Sequence, residues 1–247
     1  EIFVYVANKQ KEIEELRRME QFRREFLADV SHELKTPVFS AQGFIHTLLE
    51  GAMDDEQVRE RFLVKAAKSL ERLDILVKDL VSLSQLESGE TTMVPEKVNM
   101  AELTAEIFER LEKIAKQRDV TLKIKPERLT SVWVLADKQR IDQVMVNLIS
   151  NAIKYNNDGG KVVVLFEEDK KNFTISVRDN GPGISQEHIA RIFERFYRVD
   201  KSRSRDLGGT GLGLAIVKHI LNAHGTTITV MSQVGKGTNF SFKLPKG

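Results

Sequence analysis

Apolar residues return every three or four positions from Ile13 through Leu16, Met19, Phe22, Phe26, Val30, Leu34, Val38, Ala41 and Ile45 to Leu48 and Leu49. This period leaves one apolar stripe along a helix, and a stripe so long has to be covered by something. Its first part, Lys9 to Glu25, is charged and free of Pro and Gly, like the seam of a coiled coil with an irregular heptad. Pro37 removes one backbone bond inside the helix and is expected to bend it. Gly51 stops the pattern, and Asp54 or Asp55 can cap a second helix. That helix carries Phe62, Ala66, Leu70, Leu73, Leu76, Leu80 and Leu83 and ends near Glu87-Ser88-Gly89. Each helix is expected to have roughly 30 residues, about 45 Å. Two such helices cannot bury their wide apolar faces against each other alone. An antiparallel hairpin that dimerises into a four-helix bundle solves the problem.

From Ser88 to Lys97 the periodicity lapses around Gly89, Thr91-Thr92 and Pro95, which reads as a linker. Beyond it the pattern becomes mixed. Helices are expected over Met100–Arg118, Lys138–Tyr155 and Thr210–Ala223. Strands are expected over Val120–Lys125, Val132–Leu135, Lys161–Glu168, Phe173–Arg178, Thr226–Ser232 and Asn239–Leu244. A layer of helices on one face of a mixed sheet follows, with Trp133 and the phenylalanines outside Arg191–Arg198 in the core. Phe39 and Phe44 suit either partner docking or core packing.

A total of 247 residues exceeds the usual single domain. Thirty-eight Lys and Arg against 36 Asp and Glu leave a net charge of +2, which argues against a dedicated nucleic-acid binder. With no cysteine there is no disulfide, thiol nucleophile or thiolate metal site, which fits a reducing compartment. No apolar run reaches the ~18 residues of a membrane span. Ile2-Phe3-Val4-Tyr5-Val6-Ala7, with Lys9 and Lys11 after it, reads either as the cytoplasmic end of a truncated membrane helix or as the start of an amphipathic one.

Four segments carry chemistry. In Phe26-Leu27-Ala28-Asp29-Val30-Ser31-His32-Glu33-Leu34-Lys35-Thr36-Pro37, a nucleophilic ring has a carboxylate beside it and a hydroxyl one turn later. A lone histidine on such a helix is usually a surface or packing residue, the reading given to His46, His188, His219 and His224. Asn147 and Asn151 share a helix face, and amide oxygens are hard ligands suited to Mg²⁺; such pairs are also common on surfaces. Asp179-Asn180-Gly181-Pro182-Gly183 follows a strand, where a carboxylate can accept from an adenine amine, though it also makes a generic turn. Gly208-Gly209-Thr210-Gly211-Leu212-Gly213-Leu214 leads into a helix whose first amides attract anions. Its spacing is neither that of a dinucleotide fingerprint nor that of a P-loop. Before it, Ser185 to Gly209 holds Arg191, Arg195, Arg198, Lys201, Arg203 and Arg205, a basic stretch fit for a lid over an anionic ligand or for a solvated loop.

In this order the segments resemble the sensor histidine kinases of two-component signalling. Phe26–Pro37 resembles their H box, Asn147–Asn156 the N box, Asp179–Gly183 the G1 box, Arg191–Arg198 the F box and Gly209–Gly213 the G2 box. The resemblance runs from about Gln21 to the C-terminus. It implies a juxtamembrane signalling helix over 1–20, a dimerisation and histidine-phosphotransfer hairpin over 21–90, and a linker over 91–97. An α/β sandwich of the Bergerat (GHKL) type that binds ATP would then occupy 98–247. His32 would accept the phosphoryl group, Asn151 would coordinate Mg²⁺ with Asn147 nearby, Lys154 and Tyr155 would contact the nucleotide, and Asp179 would read adenine. Gly181, Gly183, Gly209, Thr210, Gly211, Leu212 and Gly213 would shape the pocket and lid, and Arg198 would approach the γ-phosphate. Asn156 departs from the Thr or Ser of many relatives, a change that should not abolish binding.

Chemistry fills in the roles. Attack by one imidazole nitrogen requires loss of the proton on the other, and adjacent Glu33 can take it as general base. Thr36 lies where the family orients a hydrolytic water, implying phosphatase activity towards the phosphorylated partner. The implied partners are a second copy of the chain and the aspartate of a response regulator, and the implied location is the cytoplasmic face of a bacterial membrane, anchored through the full-length protein. Two other classes compete: a related ATPase of the chaperone or topoisomerase kind, which would lack the phosphoacceptor hairpin, and a relay with a dead catalytic domain, against which Asn151, Asp179 and the glycine run are intact.

Overall fold

Asp55 starts the second long helix by accepting from the Gln57 and Val58 amides at 3.0 and 3.2 Å, as a side-chain cap should. The computed structural model describes residues 2–88, 92–127, 131–200 and 209–247. Gly89 and Thr91 of the expected linker and Lys201, Arg203, Arg205 and Gly208 of the basic stretch lie outside the described residues, as do the side chains of residues 2–8, Met19 and Phe22. The chain divides into two units, Glu1–Lys78 and Asp79–Gly247.

In the first unit α1 (Ile2–Thr47) runs 46 residues, longer than the expected 30, because the charged seam and the later stripe join without interruption. Pro37 is buried within it and does not end it. A π-helical turn over Leu48–Ala52 closes α1, and Gly51 takes φ +121°, a conformation that favours glycine. The chain then enters α2 (Glu56–Glu87). Glu33 lies 3.8 Å from Arg72, and the Phe44 and Phe62 rings stand 5.5 Å apart, so α1 and α2 run antiparallel. Ala41, Leu48, Ala66 and Leu76 are buried between them, while Leu27, Phe39, Leu49, Leu63 and Leu70 are more than half exposed. The hairpin covers one stripe and leaves another open. No helix of the described residues is long and apolar enough to cross a membrane.

The second unit holds the end of α2 and an α/β fold. Its strands are β1 (Glu96–Asn99), β2 (Thr121–Lys125), β3 (Trp133–Ala136), β4 (Lys161–Glu168), β5 (Asn172–Asp179), β6 (Thr229–Gln233) and β7 (Gly237–Pro245). The main sheet has order β2-β4-β5-β7-β6, with β2 and β4 parallel and the other pairs antiparallel. Alternation puts Val162, Val164 and Phe166, Phe173, Ile175 and Val177, and Phe240, Phe242 and Leu244 on one buried face. Against it lie α3 (Met100–Gln117) and α4 (Lys138–Lys154), and α6 (Gly213–Ala223) packs on α4; Ile107, Ile141, Leu148, Ile216 and Ile220 are buried among them. Asn99 caps α3 and Asp137 caps α4.

Several expectations need correction. Glu96 and Lys97, assigned to the linker, belong to β1, whose charged four residues pair with β3 in a separate two-stranded sheet. Trp133, expected in the core, is 46% exposed because it takes an outward position of β3, where alternation buries Val134 and Ala136 instead. The last helix begins at Gly213 rather than Thr210, since Gly211 adopts φ +78° and breaks the helical path. β6 starts at Thr229 rather than Thr226. A short helix, α5 (Gln186–Ile189), stands where no period was visible.

Candidate functional site

His32 is exposed on α1. One turn later the Thr36 hydroxyl donates to the His32 carbonyl at 3.1 Å, a local bond of the kind threonine makes inside helices. Glu33 faces the hairpin and is only 16% exposed in its side chain, with Arg72 of α2 at 3.8 Å. The ring and the carboxylate thus leave α1 in different directions.

The second unit collects most of the remaining candidates at the C-terminal end of α4 and the end of β5. Asn147 and Asn151 are half-buried on α4. Gly213 starts α6 against Asn147: a Cβ at Gly213 would lie 2.8 Å from Asn147 Oδ1. Asp179 ends β5, and its Oδ1 accepts from the Gly181 amide at 2.8 Å and the Thr238 amide at 3.1 Å. Burial pushes its carboxyl above the usual range, and those amide bonds pull the other way. With both bonds on Oδ1, the carboxylate is oriented by backbone rather than by a salt bridge. A Cβ on Gly181 would come within 3.0 Å of Asp179 Oδ1 and 3.1 Å of the Tyr155 carbonyl. Gly183 has φ +72°, with the Gln233 carbonyl where a Cβ would go.

The glycine run is tied into this frame. Gly211 accepts from the Phe196 amide at 2.9 Å, and Arg198 Nη2 donates to the Thr210 carbonyl at 2.9 Å. Leu212 is fully buried, and its amide donates to the Thr210 hydroxyl at 3.3 Å, so its side chain serves the core. Gly209 is half-buried. Tyr155 is 37% exposed at the end of α4. Lys154 beside it is held below the usual lysine range by burial, with the Asp79 charge opposing. Asn156 is buried, accepting from the Asn157 amide and donating to the Lys161 carbonyl, so it ties the end of α4 to β4. The segment 191–198 is anchored by Ile192, which is buried, and by Phe193, edge-on to Phe240.

Sequence reasoning passed over two residues, Arg72 and Asp79. Asp79 Oδ2 accepts from the Thr210 hydroxyl at 2.7 Å. On an amphipathic helix both looked like members of a solvated charged face, and only their distance partners mark them.

Residues 22–89 match the family described as the His Kinase A (phospho-acceptor) domain. Residues 136–247 match the family described as Histidine kinase-, DNA gyrase B-, and HSP90-like ATPase. Fold and site therefore define a phospho-acceptor hairpin joined to a GHKL-type ATPase domain. The histidine kinase AdeS of Acinetobacter baumannii superposes with a TM-score of 0.70 at 30% identity, over 87% of this chain and 98% of that one. The sensor histidine kinase WalK of Bacillus subtilis (strain 168) is 40% identical over 95% of this chain and 38% of its own length. A third likeness is to histidine kinase ThkA solved in complex with the response regulator protein TrrA, with TM-score 0.74, 26% identity, and 94% and 64% of the two chains covered. This chain belongs to the sensor histidine kinases of two-component signalling. It spans well under two thirds of the length of the curated relatives it matches.

Proposed function

We propose that this chain is the kinase portion of a sensor that phosphorylates its own His32 from ATP and passes the phosphoryl group to an aspartate of a response regulator. The observation that carries this reading is the joint presence of an exposed His32 in the phospho-acceptor segment and a backbone-oriented Asp179 in the ATPase-type fold.

The chemistry balances with residues at hand. One imidazole nitrogen of His32 forms a bond to the γ-phosphorus as the bond to the β,γ-bridging oxygen breaks and ADP leaves; the proton on the other nitrogen passes to Glu33. Asp179 accepts from the adenine amine, and the small Gly181 and Gly183 let the base approach the backbone. Lys154, Tyr155, Gly209, Thr210, Gly211, Leu212 and Gly213 bound the nucleotide, Leu212 through its place in the core. Arg198 holds the glycine run by its bond to Thr210 and brings a cation towards the γ-phosphate. Asn147 and Asn151 suit Mg²⁺, since both are half-buried amide oxygen donors on one face of α4. When bound, Mg²⁺ neutralises charge on the phosphates.

The open apolar stripe of the hairpin, with Leu49 71% exposed, supports a homodimer completed as a four-helix bundle. Thr36 would position water for hydrolysis of the phosphorylated regulator. The domain plan is 1–20 signalling helix, 21–90 dimerisation and phosphotransfer, 91–95 linker and 96–247 ATP binding, the last including β1, in a protein anchored at the cytoplasmic face of a bacterial membrane. Incubation with γ-labelled ATP and Mg²⁺ tests the reading. It predicts an acid-labile, base-stable label that chases onto a receiver protein; ATP turnover without such a label would make the chain a plain ATPase.

A further inference from the structure

The last turns of α2 are seated on the α/β fold by a set of polar contacts. Asp79 accepts from the Thr210 hydroxyl at 2.7 Å. Gln143 on α4 donates to Ser82 at 3.1 Å, and Glu87 pairs with Arg195 and lies 3.3 Å from His219 on α6. Leu83 between them is fully buried. Asp79 differs from the others in what it touches. Thr210 lies in the glycine run, and Lys154, whose charge acts on Asp79, is the cation nearest the end of the asparagine face in sequence. Burial raises the Asp79 carboxyl above the usual range while the Thr210 bond and Lys154 oppose it, so this acid sits where charge is costly unless those two groups answer it.

A triphosphate is an anion with the same needs. A phosphate and a carboxylate cannot both take the Thr210 hydroxyl and the Lys154 charge without placing like charges in contact in a poorly hydrated site. Resting on the reading of Thr210 and Lys154 as nucleotide contacts, we propose that Asp79 is a built-in competitor of the nucleotide. Its carboxylate holds the Thr210 hydroxyl and balances Lys154 in the nucleotide-free chain. A nucleoside di- or triphosphate binds as Asp79 withdraws, and the α2 segment from Asp79 to Glu87 then loosens from the α/β fold. Apparent affinity is reduced by the fraction of chains in which Asp79 is seated.

Titration of the whole chain with ADP and with a non-hydrolysable ATP analogue, comparing wild type, Asp79→Asn and Asp79→Ala, tests this. Asn keeps an acceptor for Thr210 and removes only the charge; Ala removes both. Binding should tighten about 3- to 10-fold in Asp79→Asn and at least as much in Asp79→Ala. Unchanged or weaker binding by a folded Asp79→Asn chain overturns the proposal while leaving the kinase reading intact. Absence of binding by the wild type removes both. Hydrogen exchange on the unsubstituted chain gives an independent answer: amides of residues 79–87 should exchange faster with saturating analogue, and unchanged or slower exchange overturns the proposal.

Discussion

Gly213 stands against the Asn147 side chain, so closely that a methyl group there would lie 2.8 Å from Asn147 Oδ1. Space and not backbone freedom demands glycine here, because Gly213 begins α6. Gly213→Ala should push the Asn147 amide out of place at little cost to folding, because the clash is with the end of a side chain that can turn. Nucleotide affinity measured calorimetrically with ADP and Mg²⁺ should fall about tenfold or more. Unaltered affinity would mean that Asn147 has no part in the site.

Asp179 shows a conflict between stability and binding. Its folded-state carboxyl titrates above the unfolded value, so the native state holds the proton more tightly and the group's contribution falls as pH rises from the ordinary carboxyl range through the raised one. Asparagine can accept from the same Gly181 and Thr238 amides without the charge. Asp179→Asn should therefore keep or raise the melting temperature at neutral pH, with the advantage shrinking in acid, while nucleotide binding is lost. Thermal melts at several pH values, each with and without ADP, check both halves.

Arg72 lies 3.8 Å from Glu33, and both side chains are largely buried within the hairpin. Arg72 holds the Glu33 carboxylate on the hairpin side of α1, and removing it should leave that carboxylate without a fixed position from which to turn to the His32 proton. Arg72→Ala is expected to slow autophosphorylation about 3- to 10-fold with an unchanged KM for ATP; Arg72→Lys should recover part of the rate. A change in KM alone would point to a different role.

The two long helices, the strands β4 and β5 and the helix α4 were legible in the sequence because each carries one unbroken period. β1 was not, since its Glu96-Lys97-Val98-Asn99 buries little beyond Val98 and owes its strand form to pairing with β3. Trp133 misled for a related reason: size suggested burial, but it stands on the outward face of β3, where it is 46% exposed. Among the site residues, Asp179 and the glycines stood out because close backbone approach leaves a residue-type signature. Asp79 and Arg72 left none, as a carboxylate or guanidinium on a helix looks the same whether its partner is water or a residue far along the chain, Thr210 for Asp79 and Glu33 for Arg72.

Thr36 donates to its own helix at the His32 carbonyl, so its hydroxyl sits one turn from the phosphoacceptor without being needed for the fold. Thr36→Ala should leave autophosphorylation within about twofold and reduce dephosphorylation of the regulator about tenfold or more. Release of inorganic phosphate from a phosphorylated receiver, with ADP present, measures this.

The account rests on His32 as the acceptor, and intact-mass spectrometry with peptide mapping tests that directly. After incubation with ATP and Mg²⁺, the wild-type chain should gain the mass of one phosphoryl group, located on His32, and His32→Gln should gain none while still binding nucleotide. A phosphoryl group on His32→Gln, or none on a wild-type chain that consumes ATP, would contradict the account.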